Sequence, residues 1–171
     1  MKLLKPGHVP VFVAAGSNVE PERNLATACG AIAHSWPDAR FSSAYRNAAV
    51  GFEGPDFINL VVAFTTAQPL MTVVTRLRAI EVQCGRPRYA PKWASRTMDL
   101  DVLLFGDLIE KTDDYTLPRP DLLKRPYMLG PLAQLAPEVM HPTAHKTIGV
   151  LWKEFDGGAH SMVEVPLELP S

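Results

Sequence analysis

Two carboxylates that lie two residues apart form the first candidate site in the chain. Asp99 and Asp101 alternate with apolar residues in segment 98–105, a pattern typical of a β-strand with one buried face. Side chains at positions i and i+2 of a strand project from the same face, so the two carboxylates point together. Paired carboxylate oxygens suit Mg²⁺ that is shared between a protein and phosphate groups. Taken alone, the Asp pair is explained equally well by an ordinary solvated sheet face.

The segment immediately before this strand is strongly basic. Residues 85–97 contain four cations, two aromatic residues and no acid. A loop of this length, tied at both ends to regular elements, usually has a function. Arginine forks match phosphate oxygens, and aromatic rings can cover a base. Beside the carboxylates, the segment predicts a clamp for nucleotide phosphates; a solvated basic loop or an RNA contact is the alternative.

Three further side chains belong to the same neighbourhood. Phe57 and Asn59 alternate with apolar residues in segment 57–65, which places them on the sheet face that also carries the Asp pair. Glu81 lies at the edge of an otherwise apolar helical face, close to the basic segment. Considered alone, Glu81 is interpreted as a surface charge of that helix.

The elements that must position these residues follow in the order βαββαβ. Strands are predicted at residues 11–15, 41–45, 57–65 and 98–105, and helices at residues 21–36 and 69–84. This order is the split arrangement of ferredoxin-like folds and predicts an α+β domain, with both helices on one face of an antiparallel sheet. The apolar rows expected to face the helices are Ile58, Leu60, Val62 and Phe64 in the third strand and Met98, Leu100, Val102 and Leu104 in the fourth. Beyond Gly106 we expect a loop-rich C-terminal extension with one helix near residues 128–135, and residues 1–171 as a single domain.

Composition narrows the class of protein. Seventeen Lys and Arg against 18 Asp and Glu leave a net charge of −1, which argues against a general polyanion binder and weakens the RNA alternative for the basic segment. No apolar run approaches the length of a membrane span, and Gly7 and Pro10 interrupt the apolar start, so a cytoplasmic location is predicted. Cys29 and Cys84 form no CxxC pair and are interpreted as free thiols. The chain lacks a P-loop motif, and no GxGxxG follows the first strand.

Several stretches resemble one known family. The most specific is residues 92–106, KWASRTMDLDVLLFG, and the supporting stretches are residues 15–18, 57–63, 80–86 and 125–132. On these residues the chain resembles the 6-hydroxymethyl-7,8-dihydropterin pyrophosphokinases of folate biosynthesis over almost its whole length. The resemblance implies a ferredoxin-like fold. It also implies Mg²⁺-dependent transfer of pyrophosphate from ATP to the hydroxymethyl group of the pterin, which gives AMP and the pterin diphosphate.

The resemblance also implies roles for individual residues. Asp99 and Asp101 would hold two Mg²⁺ together with ATP, while Arg86 and Arg96 would act catalytically by neutralising charge on the transferring group. The implied ATP-binding residues are Glu81, Arg86, Arg88, Trp93, Arg96, Thr116, Arg119 and Arg125. The implied pterin-binding residues are Asn47, Ala48, Val50, Phe57, Asn59 and Tyr127, with Phe57 and Tyr127 stacking on the ring. The expected partners are the two small substrates, with no nucleic acid and no membrane, and the expected state is a monomer.

Two positions depart from the family pattern. Residues 47–51 read Asn-Ala-Ala-Val-Gly where relatives usually carry a Thr-Glu/Pro-Pro type turn, and Arg119 stands where relatives carry a histidine. A paralogue acting on another pterin, a non-catalytic pterin- or nucleotide-binding homologue, and an interaction module that kept only the fold are therefore alternatives. Intact Asp99, Asp101, Arg86 and Arg96 favour the enzyme.

Overall fold

A computed structural model describes residues 4–49, 53–85, 98–155 and 162–170. The elements in chain order are β1 (Val9–Ser17), α1 (Pro21–Ser35), β2 (Arg40–Phe41), β3 (Ala44–Asn47), β4 (Phe57–Thr66), α2 (Leu70–Gln83), β5 (Asp99–Phe105), β6 (Glu110–Lys111), β7 (Thr116–Leu117), the 3-10 helix η1 (Pro120–Leu123), α3 (Pro126–Leu135), α4 (Ile148–Glu154) and β8 (Val163–Val165). Among these residues, no helix is both long enough and apolar enough to cross a membrane.

The main sheet is antiparallel and has the strand order β5-β1-β4-β3-β8, with β2 also paired to β4. The α+β, ferredoxin-like prediction is confirmed. Pro21 opens α1, where its missing N–H costs nothing, and Gly85 follows α2 in the left-handed conformation at φ 89°. The two helices therefore begin and end within a residue or two of the predicted positions.

The predicted strand at residues 41–45 is two short strands, because Ser42 and Ser43 interrupt it. Phe41 pairs with Val62 and Tyr45 pairs with Asn59, so one extra residue is accommodated between the two pairs. The Ser42 hydroxyl accepts a hydrogen bond from the Val61 N–H at 2.9 Å, in place of a backbone acceptor. Alternation alone contains no sign of this bulge.

The helical face of the sheet holds the larger core. The predicted row on β4 is buried there together with residues of β1, α1 and α2, which include Val13, Leu25, Ile32, Leu77 and Ile80. Cys29 and Cys84 are free thiols in this core, as predicted, and burial raises the pKa of Cys29 to about 12. A thiol in this state is inert as a nucleophile.

The opposite face, called the second face here, was predicted to be open and is open at one end only. At the other end α3, η1 and α4 cover it and form a second core with Phe12, Val61 and Ala63. Leu104 belongs to this second core, so the prediction that it faces α1 and α2 is wrong. A register shift between β1 and β5, where Val13 pairs with Val102 but Phe12 pairs with Leu104, reverses the alternation at this point.

Candidate active site

One row across the second face brings the candidate residues together. Gly16 in β1 pairs with Asn59 of β4 on one side and with Asp99 of β5 on the other. Partners in an antiparallel pair share a face, so Asn59 and Asp99 lie on the second face two strands apart, about 10 Å. A Cβ at position 16 would collide with the Asn59 side-chain oxygen, so any larger residue there would displace the Asn59 amide. The row places an amide beside the carboxylate pair.

The carboxylate pair is electrostatically unbalanced. The pKa of Asp101 is raised to about 7, first by burial and then by the charge of Asp99, while Arg119 acts in the opposite direction. The Asp101 side chain keeps 25% of its surface exposed, and its Oδ1 lies 3.6 Å from Nη1 of Arg119. A half-buried carboxylate that faces a like charge is a frequent feature of functional sites.

Glu81 is buried, with 8% of its surface exposed, so its interpretation as a surface helix charge is wrong. Its Oε2 accepts a hydrogen bond at 2.9 Å from the backbone N–H of Leu100, the residue between the two aspartates. Because β5 is the edge strand of the main sheet, this N–H points away from β1 and needs an acceptor. Glu81 therefore ties α2 to β5 where the carboxylates project.

The other half of the site is neutral. Asn59 is buried, and its amide donates a hydrogen bond to the side-chain oxygen of Asn47, which lies at the end of β3. Phe57 and Tyr127 are both half-buried. Burial raises the pKa of Tyr127, the charge of Arg125 acts in the opposite direction, and the charges of Asp121, Asp99 and Asp101 add to the effect of burial. Ala48, the neighbour of Asn47, is exposed.

A cavity of about 980 Å³ opens between α2, β5 and the β6–β7 hairpin. It is lined by five of the predicted site residues, Glu81, Asp99, Asp101, Thr116 and Arg119. Its other lining residues include Leu70, Val74, Arg78, Val102 and Tyr115, which sequence reasoning missed as site residues. Val102 was expected to face the helices, and only the position of the β6–β7 hairpin shows that it also lines the cavity.

Arg125 is absent from the described lining of the cavity, and five other predicted site residues fall outside the described residues. Arg125 precedes α3 as its N-cap and is not among the described residues that line the cavity. Five predicted positions fall outside the residues that the structure describes, namely Val50, Arg86, Arg88, Trp93 and Arg96. The roles of all these residues stay predictions.

The donor set suits a metal that is shared with a ligand. Within the described ranges, no group of three or more His, Cys, Asp or Glu side chains could hold a metal ion. Asp99 and Asp101 supply two carboxylates, and Mg²⁺ is commonly bound by one or two carboxylates together with phosphate oxygens and water. The pair therefore fits Mg²⁺ that arrives with a phosphate ligand.

Comparison with known sequences points to one family. A sequence model of the family described as 7,8-dihydro-6-hydroxymethylpterin-pyrophosphokinase (HPPK) matches residues 12–137. The chain is 38% identical over 130 residues to the 2-amino-4-hydroxy-6-hydroxymethyldihydropteridine pyrophosphokinase of Synechocystis sp., covering 76% of this chain and 66% of that relative. It is 30% identical over 161 residues to the protein of the same name from Haemophilus influenzae, covering 92% of this chain and 98% of that one.

Comparison with solved structures supports the fold. A triple mutant of Plasmodium falciparum HPPK-DHPS with pteroate matches with a TM-score of 0.68 at 13% identity, over 86% of this chain. The wild-type protein with STZ-DHP matches with a TM-score of 0.65 at 14% identity. This chain spans 43% and 41% of those two chains, respectively.

Proposed function

Because the chain belongs to the 7,8-dihydro-6-hydroxymethylpterin-pyrophosphokinase family, we propose that it transfers pyrophosphate from ATP to 6-hydroxymethyl-7,8-dihydropterin. The observation that carries this proposal is the row formed by Asn59, Gly16 and Asp99 across the second face. It sets a neutral, amide-bearing half of the site beside a carboxylate half. A flat heteroaromatic alcohol and a metal-bound polyphosphate need these two surfaces side by side.

The carboxylate half is proposed to hold the nucleotide. Asp99 and Asp101 would bind two Mg²⁺ with ATP, and Thr116 and Arg119, which line the same cavity, would contact its phosphates. Magnesium, when bound with the nucleotide, neutralises phosphate charge and orients the chain of phosphates. The cavity continues along α2 to the apolar side chains of Val74 and Val102, which suit a base.

The neutral half is proposed to hold the pterin. Phe57 and Tyr127 would stack on the ring, and the Asn59 amide would hydrogen-bond its edge. The hydrogen bond from Asn59 to Asn47 limits rotation of the Asn59 amide, so its remaining donor and acceptor keep one orientation. Asn47 and Ala48 would line the rim of this pocket.

The proposed step needs positioning more than a protein nucleophile. The hydroxymethyl oxygen of the pterin attacks the β-phosphorus of ATP, and the bond between that phosphorus and the oxygen bridging to the α-phosphate breaks. AMP leaves with the bridging oxygen, and the attacking hydroxyl releases its proton. Arg86 and Arg96 are proposed to neutralise the charge that develops on the transferring group.

The test is a product assay with ATP, Mg²⁺ and 6-hydroxymethyl-7,8-dihydropterin. We expect AMP, and ADP would identify an ordinary kinase and contradict the proposal. Asp99→Ala and Asp101→Ala should each lower turnover by at least about a hundredfold, as loss of a major electrostatic contact does. Asp107→Ala is the matched control, because Asp107 is exposed in the turn after β5. Pterin binding without turnover would instead favour the non-catalytic homologue.

We further propose that residues 1–171 work as a single domain, as a cytoplasmic monomer whose partners are these two small molecules, without nucleic acid or a membrane.

A further inference from the structure

Arg119 lies between two carboxylates without a close bond to either. Its Nη1 is 3.6 Å from Asp101 Oδ1, and its Nε is 3.8 Å from Asp121 Oδ2. Both distances exceed those of good hydrogen bonds, so the attraction is mainly between charges. Within the described part of the chain, the buried Nε has no hydrogen-bond partner.

The backbone holds this guanidinium beside β5. The Arg119 N–H donates to the Leu103 carbonyl at 3.0 Å, and Pro118 and Pro120 flank the residue. Prolines on both sides restrict the backbone, so a change in the direction of the guanidinium comes mainly from the side chain. The side chain is 34% exposed and lines the same cavity as Asp99 and Asp101.

We propose that Arg119 is a built-in counter-ion, which neutralises Asp101 in the ligand-free protein and turns to a phosphate oxygen when the metal nucleotide enters. The identity of that phosphate ligand as ATP rests on the proposed function. In the ligand-free state, the positive charge of Arg119 disfavours a second cation at Asp101. The carboxylate pair therefore binds a divalent metal weakly on its own and more tightly when phosphates draw Arg119 away.

The loose geometry suits this exchange. A bidentate arginine–carboxylate pair at hydrogen-bond distance would be costly to break, whereas a partly exposed pair at 3.6 Å contributes little. A phosphate oxygen would also give the buried Nε the partner that it lacks. Metal and nucleotide therefore bind with positive coupling, and each improves the affinity for the other.

The decisive measurement is Mn²⁺ affinity in the absence of nucleotide, followed by electron paramagnetic resonance. Arg119→Ala should bind Mn²⁺ about five-fold more tightly than wild type or better, since a competing cation is removed. The same variant should bind the Mn²⁺ complex of a non-hydrolysable ATP analogue at least several-fold more weakly. The opposite signs of the two changes distinguish a counter-ion from an ordinary phosphate contact.

Two kinds of control make the result specific. Lys124→Ala removes one positive charge from an exposed site five residues away and should leave Mn²⁺ affinity as in wild type. Arg119→Met keeps the side-chain length without the charge and should match Arg119→Ala, whereas Arg119→Lys should stay close to wild type. If both uncharged variants bind Mn²⁺ alone no more tightly than wild type, the counter-ion role is wrong. A failure to form AMP, with Mn²⁺ affinities that behave as expected, would overturn the proposed function and leave the counter-ion role standing.

Discussion

The two ends of the second sheet face are built from the same strands and differ in what covers them. At one end Phe12, Val61 and Ala63 are buried beneath α3. At the other end the same strands present Asn59, Asp99 and Asp101, and Asp101 faces a like charge. The first end is covered by other elements of the chain, whereas the carboxylates of the second end line the cavity beside α2. One face of the sheet therefore carries both a core that stabilises the fold and the site that we propose for ligand binding.

The covered end should govern stability alone, which gives the largest expected effect. Leu132 in α3 is fully buried in the second core, so Leu132→Ala should lower the free energy of unfolding by about 2–5 kcal/mol. The turnover number of the remaining folded protein should stay near that of wild type. Urea unfolding followed by circular dichroism measures the change, and Leu123→Ala, at an exposed position, should cost less than about 0.5 kcal/mol. A large loss of turnover in folded Leu132→Ala protein would show that the two ends are coupled.

The open end should respond in binding rather than in stability. If Phe57 stacks on the pterin, Phe57→Ala should weaken pterin binding by about 1–3 kcal/mol, the range of base–aromatic stacking. Affinity for the metal nucleotide should change little, because the carboxylate half lies two strands away. Isothermal titration calorimetry with each ligand separates the two effects. Equal losses for both ligands would mean that the substitution damaged the sheet.

The charge at Asp101 should cost stability in the metal-free protein. Its pKa is raised to about 7 in the folded protein, above the ordinary value of 3.8 for an aspartate, so ionisation disfavours folding. The contribution of protonated Asp101 to stability is fully present below pH 3.8 and is lost as pH rises through 7. Asp101→Asn should therefore raise the melting temperature at pH 8, and the difference should close as pH falls toward 4. A lower melting temperature at pH 8 would show that Asp101 is a structural residue.

The covered side offers a buried titratable group of the opposite kind, in the segment between α3 and α4. His141 is 1% exposed, and its Nδ1 accepts hydrogen bonds from the backbone N–H groups of Thr143 and Ala144. Burial, and then the neighbouring His145, lowers the pKa of His141, so the folded protein keeps it neutral. Its contribution to stability is present above pH 6.5 and is lost as pH falls through the lowered pKa.

A substitution at His141 tests its contribution to stability, which is the smallest of the expected effects. His141→Asn keeps a side-chain acceptor for these N–H groups and should flatten the fall in melting temperature between pH 7.5 and pH 5.5. The same substitution at His34, on the exposed side of α1, is the control. An unchanged slope in His141→Asn would show that other groups cause the acid destabilisation.

Local sequence pattern was sufficient to predict those features that depend only on residues close together in the chain. The positions of α1 and α2 follow from helical spacing between proline and glycine signals, and the shared face of Asp99 and Asp101 follows from alternation. The same rule failed for Leu104, the first paired residue after β5 shifts its register against β1. A bulge depends on the partner strand, which single-strand alternation does not contain.

The amino-acid sequence by itself determined the βαββαβ order, the helical face and the two carboxylates, because periodicity, prolines and glycines act over a few residues. Only the tertiary structure decided that α3 closes one end of the second face, that Glu81 is buried against the Leu100 N–H, and that Arg119 lies beside Asp101. These contacts join residues that lie 18 or more positions apart in the chain, or whole elements. The energy of these contacts depends on which backbone groups lie unpaired at the edge of the sheet and on which charges are buried close together. Both are determined only once the chain has folded.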